Sequence, residues 1–382
     1  MNFKKLSISV ICFLLLVNII KLDVFANVNL LGINNVPAKG VAVIDIESGR
    51  LLYGKNENKK MAMASTTKIM TALITLEQDG LDDYFEVDPD AIKVEGTSMG
   101  LLEGDMVSLR ALAVGMLLPS GNDAAEVAAI RIAGSKGEFL KMMNERAEAI
   151  GCRNTHFSTT SGLDEDGHYT TPSDLAKIAR CALNNSDFSE ICSQQYKTIE
   201  YGNPPYKRTL KNHNKLLKQY ENCVGIKTGF TDNAGRCLVS AAYKDGKGLI
   251  VVTLNSEDIC QSHIDVYNQV FEKVLKYNSR VKLPVNNLKV VGGETVGVSI
   301  EKNLDAEILL VSGEESELKH KVKLKKFLFA PVKKGEVVGE IDYYIDNFKV
   351  ATEPIITVTE VAVEEKKGFF KNILARFGKN FD

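Results

Sequence analysis

The stretch MAMASTTKIMTAL, residues 61–73, decides how the chain is read. Ile69, Leu73 and Leu76 recur at the spacing of a helix with a buried face. Ser65, Thr66, Thr67 and Lys68 stand at its head. Two readings fit. Ser65 is an ordinary helix cap, or it is a nucleophile whose base, Lys68, lies one turn along on the same face.

Ser-x-x-Lys alone decides little, because the chain holds four: Ser65/Lys68, Ser279/Lys282, Ser299/Lys302 and Ser316/Lys319. Only the first starts a helical pattern, and only it precedes both Ser120-Gly121-Asn122 and Lys227-Thr228-Gly229. Those are the chain's only Ser-x-Asn and its only Lys-Thr-Gly. The chemistry of the three elements is coherent. A serine hydroxyl is a poor nucleophile until a base takes its proton. A lysine serves as that base only when neutral, and burial beside a second cation such as Lys227 lowers its pKa. Free N–H groups of Ser65, at a helix start, and of Phe230 can form an oxyanion hole. Gly229 lets a strand edge approach a substrate closely. Lys227 and Thr228 offer a cation and a hydroxyl to a carboxylate. Asn122 can both donate to and accept from a peptide amide, and Ser120 can relay a proton. Taken singly, each piece also reads as a cap, a turn or a strand end.

Gly96-Thr97-Ser98-Met99-Gly100 matches G-x-S-x-G, which works as a nucleophile elbow only between a strand and a helix. Leu101-Leu102-Glu103-Gly104-Asp105 follows, with no helical start. The segment is read as a turn.

Outward from these motifs, the 382 residues suggest two domains. Lys4 and Lys5, the apolar run Leu6–Ile20 and Val24-Phe25-Ala26 read as a signal peptide, residues 1–26, cut after Ala26. The body is therefore expected to be exported. Residues 27–276 carry an α/β (α+β) pattern of helices on a sheet. Hairpins are expected at Val41–Ile46/Leu51–Tyr53 and Cys237–Tyr243/Gly248–Leu254. Helices are expected near Leu109–Leu118, Asp123–Ala133 and Lys136–Ile150. Another starts at Thr171, with Pro172 at its first position and Asp174 at the capping-box position. Composition shifts at Tyr277–Pro284, and residues 283–363 read as a smaller all-β domain with strands at Leu288–Val291, Val296–Ile300, Ala306–Val311, Val337–Ile345 and Ile355–Val363. In residues 364–382, Phe369, Phe370, Ile373, Leu374, Phe377 and Phe381 share one helical face among lysines. That pattern fits an amphipathic helix on a membrane surface.

The formal net charge of −2 and the lack of a basic stripe give no reason to expect nucleic acid. Of seven cysteines, Cys12 leaves with the signal. The other six have no C-x-x-C spacing, and sequence assigns them no pairing. No H-E-x-x-H occurs, and neither a catalytic metal nor a cofactor is expected.

The trio resembles that of the low-molecular-mass penicillin-binding proteins, the D-alanyl-D-alanine carboxypeptidases of serine peptidase family S11. The likeness extends through Ile44-Asp45, Ser48-Gly49 and Leu52-Tyr53, Ala64 to Ala72, Leu118 to Ala125, and Gly225 to Gly229. It reaches Ala330 to Gly335 in the second domain. It implies a β-lactamase/transpeptidase-like domain with a helix-flanked antiparallel sheet, a small all-β domain and a C-terminal amphipathic helix. It implies that Ser65 attacks the terminal D-Ala-D-Ala bond of a peptidoglycan stem peptide, with Lys68 as base and Ser120 as relay. Asn122 would hold the peptide, Lys227 and Thr228 its carboxylate, and Gly229 and Phe230 would line the site. β-Lactam antibiotics would acylate Ser65, and residues 366–382 would hold the enzyme at the outer face of the cytoplasmic membrane. The competing readings are a β-lactamase, a DD-endopeptidase or transpeptidase, and a non-catalytic wall-binding protein. The E-x-x-L-N string of class A β-lactamases is absent.

Overall fold

A computed structural model describes residues 28–34 and 36–364. The expected signal peptide, residues 1–26, and the expected amphipathic segment, residues 366–382, lie outside the described residues.

The chain opens with strands β1 (Ala38–Asp45) and β2 (Leu51–Lys55), then a 3-10 turn, Ala64–Thr67, that runs straight into helix α1 (Lys68–Leu76). Two short strands, β3 (Phe85–Glu86) and β4 (Met106–Val107), precede helices α2 (Leu109–Leu117), α3 (Asn122–Ala133), α4 (Lys136–Ile150), α5 (Pro172–Leu183) and α6 (Ser186–Ser193). Strands β5 (Tyr196–Gly202) and β6 (Pro205–Lys211) and a short helix α7 (Leu216–Gln219) lead to β7 (Cys223–Thr231), β8 (Gly235–Lys244) and β9 (Lys247–Ser256). Helix α8 (Ile259–Lys273) closes this part.

The central sheet runs β2-β1-β9-β8-β7, antiparallel throughout. The two expected hairpins are thus neighbours, joined by pairing of β1 with β9. One sheet face carries the larger core, with α1, α2, α3 and α5 packed on it. The other is covered by α8 through Val266, Tyr267, Val270 and Phe271.

Helix α1 departs from the expected one-sided pattern, for all nine of its residues are buried. It is a core helix, apolar on most sides. Its polar members are satisfied locally: Thr71 donates to the Thr160 carbonyl at 2.6 Å and Thr75 to the Thr71 carbonyl at 2.7 Å. The expectation that Ser65 opens this helix needs correcting. Ser65 lies in the 3-10 turn, and no side chain caps either segment. Helix α5 does start as expected, with Thr171 Oγ1 accepting from the Asp174 N–H at 3.1 Å. The Asp174 carboxylate, however, turns away to the Asn154 N–H and the Thr155 hydroxyl.

The β-rich lobe holds β10 (Val274–Lys282), β11 (Asn287–Val291), β12 (Gly297–Ser299), β13 (Asn303–Val311), β14 (Lys319–Leu324), β15 (Phe327–Phe329), β16 (Val337–Ile345) and β17 (Phe348–Ile356). Two differences from expectation matter. The composition shift at Tyr277–Pro284 falls largely within a strand, since β10 follows α8 without a break and pairs with β13 along its whole length. The last strand also lies earlier than Ile355–Val363, leaving only isolated bridges at Thr357, Val361 and Val363.

The lobes share a contact surface. Leu309 and Val311 of β13 enter the core beneath α8. Arg50 in the β1–β2 turn pairs with Glu314 through two bonds, 2.7 and 2.5 Å long, with side chains 8% and 14% exposed. Lys276 bonds Glu47 of the same turn at 2.8 Å. The six described cysteines are free thiols.

Candidate active site

Three segments far apart in sequence meet at the edge of the central sheet. The 3-10 turn brings Ser65, the loop before α3 brings Ser120, the first residue of α3 is Asn122, and β7 brings Lys227, Thr228, Gly229 and Phe230. The turn and β7 touch so closely that a Cβ on Gly229 would lie 2.9 Å from the Ser65 nitrogen and 3.1 Å from that of Thr66. Only glycine allows this approach. Two residues next to the reacting groups hold positive φ, Ala64 at 48° and Ser120 at 66°. Non-glycine residues in that region are strained, and such strain gathers at functional sites.

Lys68 is fully buried, and its Nζ donates to Ser65 Oγ at 2.9 Å, Asn122 Oδ1 at 2.6 Å and the Ser161 carbonyl at 2.7 Å. All three directions about the amine are therefore filled; in the neutral form its two N–H groups face Asn122 Oδ1 and the Ser161 carbonyl, and its lone pair faces the Ser65 hydroxyl. Burial holds its pKa well below the ordinary lysine value, and the charge of Lys227 lowers it further, against the opposing pull of Asp123 and Glu126. Lys227 is buried as well, which brings its pKa down to about 7. Its Nζ donates to Ser120 Oγ at 3.0 Å and to the Thr228 carbonyl at 2.9 Å. Ser65, Lys68, Asn122, Ser120 and Lys227 thus form two hydrogen-bonded clusters side by side.

In front of them opens a cleft of about 790 Å³, lined by Ser65, Ser120, Asn122, Thr228, Gly229 and Phe230. Lys68 and Lys227 lie behind this lining. Phe230 is 61% exposed at the mouth. All eight residues singled out from the sequence therefore come together. Asn122 differs in detail from the expected peptide holder. Besides accepting from Lys68, it donates through Nδ2 to the Glu95 carbonyl at 2.7 Å, which leaves one amide hydrogen for a ligand.

Several supporting residues were not singled out from the sequence. Gly162, at φ 88°, lies so near the turn that a Cβ there would meet the Ala64 carbonyl oxygen at 2.0 Å. His168 is buried, which lowers its pKa to about 4 and keeps the ring neutral. Its Nδ1 accepts from the Ser158 N–H at 3.1 Å, so Nε2 carries the proton toward Thr67 Oγ1 at 2.7 Å. Thr67 in turn donates to the Ala64 carbonyl at 2.8 Å. This chain of bonds fixes the turn that presents Ser65. Asp123 gathers the loop Ser98–Leu101, accepting from the Ser98 hydroxyl and from the Met99, Gly100 and Leu101 N–H groups. The G-x-S-x-G match is thus a loop tied to the Asn122 helix, and the Asp123 carboxylate that accepts from Ser98 is already held by three backbone N–H groups of that loop. The one sequence signal for these roles was adjacency of Asp123 to Asn122. Gly162 and His168 carried none.

The same pairing of fold and site is found in known proteins. The family model described as D-alanyl-D-alanine carboxypeptidase matches residues 27–258. A second, described as penicillin-binding protein 5, C-terminal domain, matches residues 272–363. The chain therefore belongs to the D-alanyl-D-alanine carboxypeptidase family of serine peptidases. It is similar to the D-alanyl-D-alanine carboxypeptidase DacF of Bacillus subtilis, 29% identical over 342 residues covering 87% of each chain. Among solved structures it resembles penicillin-binding protein 5 from Haemophilus influenzae, with TM-score 0.66 and 26% identity, over 86% of this chain and 98% of that one. It also resembles the DD-transpeptidase of Streptomyces K15, with TM-score 0.59 and 31% identity, over 63% of this chain and 99% of that one.

Proposed function

We propose that the chain removes the terminal D-alanine from peptidoglycan stem peptides through an acyl-enzyme on Ser65. The observation that carries this is Lys68 Nζ, buried beside a second lysine and 2.9 Å from Ser65 Oγ. Lys68 takes the hydroxyl proton as Oγ bonds the penultimate carbonyl carbon. The N–H groups of Ser65 and Phe230 receive the oxyanion. The C–N bond then breaks as the proton taken by Lys68 reaches the leaving D-alanine nitrogen by way of Ser120. Lys227 and Thr228 hold the terminal carboxylate, and Asn122 the peptide. Water attacks the ester and frees the shortened peptide. A β-lactam takes the same first step, and its acyl group stays on Ser65.

The test is intact mass after mixing with benzylpenicillin, beside Ser65→Ala, followed by D-alanine release from an acyl-D-Ala-D-Ala peptide. An adduct on the wild type alone and free D-alanine support the reading. Rapid drug hydrolysis without a lasting adduct would turn it toward a β-lactamase. Transfer of the acyl group to an added amine in preference to water would turn it toward a transpeptidase, the activity named for the Streptomyces K15 neighbour. No adduct on folded protein would leave a wall-binding protein.

Export and surface attachment belong to the same proposal. Residues 1–26 act as the signal, and residues 366–382 seat the enzyme on the outer face of the cytoplasmic membrane. Co-sedimentation with anionic liposomes, with and without residues 366–382, tests the attachment; equal binding would refute it. Among the described residues no helix is long and apolar enough to cross a membrane.

A further inference from the structure

The β-rich lobe carries an apolar face that its own core does not use. Burial alternates along β15: Leu328 packs into the lobe's core, while Phe327 and Phe329 are 47% and 69% exposed. Strand β11 alternates in step, with Val290 buried and Lys289 and Val291 exposed. The two strands run parallel, in a register that sets Lys289 beside Phe327 and Val291 beside Phe329. The two phenylalanine rings meet edge to face, their centroids 5.4 Å apart. Strand β15 lies at the edge of its three-stranded sheet, with β11 as its one strand partner among the described residues. A lone exposed phenylalanine needs no explanation, but two of them with a valine on one edge mark a contact surface. Proteins usually blunt such an edge with charge rather than furnish it with aromatic rings.

Charge and chain direction say what this surface meets. Lys325 and Lys326 are exposed immediately before β15, and Lys289 stands within the face. Lys323 pairs with Glu340 and Asp342, but none of these three has a carboxylate partner among the described residues. The last described residue, Glu364, donates its N–H to the Gly292 carbonyl at 3.0 Å, and Gly292 directly follows Val291. Strands in a sheet lie about 5 Å apart, so the chain leaves the described part within roughly 10 Å of Phe329. The segment that follows is itself basic, with Lys366, Lys367, Lys371, Arg376 and Lys379. Like charge disfavours its folding back over a patch flanked by lysines. Patch and segment instead call for the same partner, an apolar layer behind an anionic surface.

We infer that the β11–β15 face lies on an anionic lipid surface, with Phe327, Phe329 and Val291 in the interfacial layer and Lys289, Lys325 and Lys326 among the headgroups. The lobe then makes a second contact with the membrane beside the one proposed for residues 366–382, on which this inference rests. A single terminal attachment would leave the lobe free to turn; two contacts fix the side it presents.

The chain contains no tryptophan, so Phe329→Trp supplies a single reporter at an exposed position. The chain through residue 382 carrying it is mixed with phosphatidylcholine vesicles, with and without phosphatidylglycerol. We expect its emission to shift to the blue on the anionic vesicles and to be quenched by lipids brominated in the acyl chain. Phe327→Ser/Phe329→Ser should lower partitioning of the full chain onto anionic vesicles about 10-fold. Lys289→Gln/Lys326→Gln should lower it about 10-fold at low salt and less at high salt. Both variants should acylate with benzylpenicillin at the wild-type rate, which shows that they fold. Vesicle binding with an unshifted emission overturns the inference and leaves attachment through residues 366–382 standing. No binding of the full chain to either vesicle overturns both. An emission already blue without lipid that turns red on removal of residues 366–382 means that this segment covers the patch. A shift that grows with protein concentration without lipid means that a second copy does. Either result overturns the inference.

Discussion

Gly229→Ala puts one methyl group where β7 meets the Ser65 turn. The new carbon would stand 2.9 Å from the Ser65 nitrogen, and the nearest ordinary contact is 3.4 Å. The atoms it meets are the Ser65 and Thr66 backbone nitrogens and the Ala64 Cβ, none of which can swing aside as a long side-chain tip can. The strand must therefore retreat by about 0.5 Å or the turn must tilt by as much. Either motion separates the Ser65 and Phe230 N–H groups that would receive the oxyanion in the proposed mechanism. Losing one such donor costs about 10²–10³ in rate, and misplacement by about 1 Å can cost about 10²-fold. We expect the rate constant for acylation by benzylpenicillin to fall about 10²-fold, with about 1–3 kcal/mol lost from stability through overpacking. Stopped-flow or quenched intact-mass kinetics measure the first quantity, and urea unfolding the second. Gly137→Ala is the control. It lies in α4 with nothing within 4 Å of the added carbon, so it should leave acylation alone and raise stability by up to about 1 kcal/mol. If Gly229→Ala acylated within about 3-fold of the wild type, the oxyanion site would not depend on this contact and the reasoning would fail.

Other expectations follow from the same geometry. Lys68 acts only when neutral, so acylation should fade as pH drops through its lowered pKa; Lys227→Met removes the neighbouring cation, raises that pKa and should move the acid limb to higher pH. An unshifted limb would show that burial alone sets it. Arg50→Met leaves the Glu314 carboxylate buried without its partner and should cost about 3–5 kcal/mol in calorimetry. Burial pushes the Glu314 pKa up, but the Arg50 and Val311 N–H bonds outweigh it and leave the pKa below the usual value. The wild-type contribution is therefore full above the ordinary glutamate range and lost as pH falls through the lower folded value. Ser98→Ala removes one of several donors to Asp123, and D-alanine release should stay within a few-fold of wild type; a dead variant would return Ser98 to consideration as the nucleophile.

The coming together of the candidate residues was more legible than the framework around them. Ser65, Lys68, Ser120, Asn122 and Lys227 could be read because their chemistry demands particular side chains in a particular order. Ser65 was nonetheless placed in the wrong kind of turn. The 3-10 geometry rests on contacts from Gly162 and the His168–Thr67 bond, about a hundred residues away in sequence. The ribbon of β5 and β6 was missed because its strands are largely exposed and charged, so no apolar alternation marks them. Strand β10 was hidden for a related reason: its sequence VLKYNSRVK gains its meaning only from β13, which lies beyond two intervening strands. Ser161 could not be found at all, because a serine that matters through its carbonyl leaves no trace in residue type.

The insertion of Leu309 and Val311 beneath α8 bears on modularity. Although the two lobes match separate families, they are not beads on a string. A chain ending near residue 276 would keep every catalytic group yet uncover part of its own core. The Streptomyces K15 enzyme aligns over 63% of this chain and 99% of its own, so it has little room for a second lobe. Exchanging lobes between such relatives would therefore require redesigning the face of α8 as well as the joint.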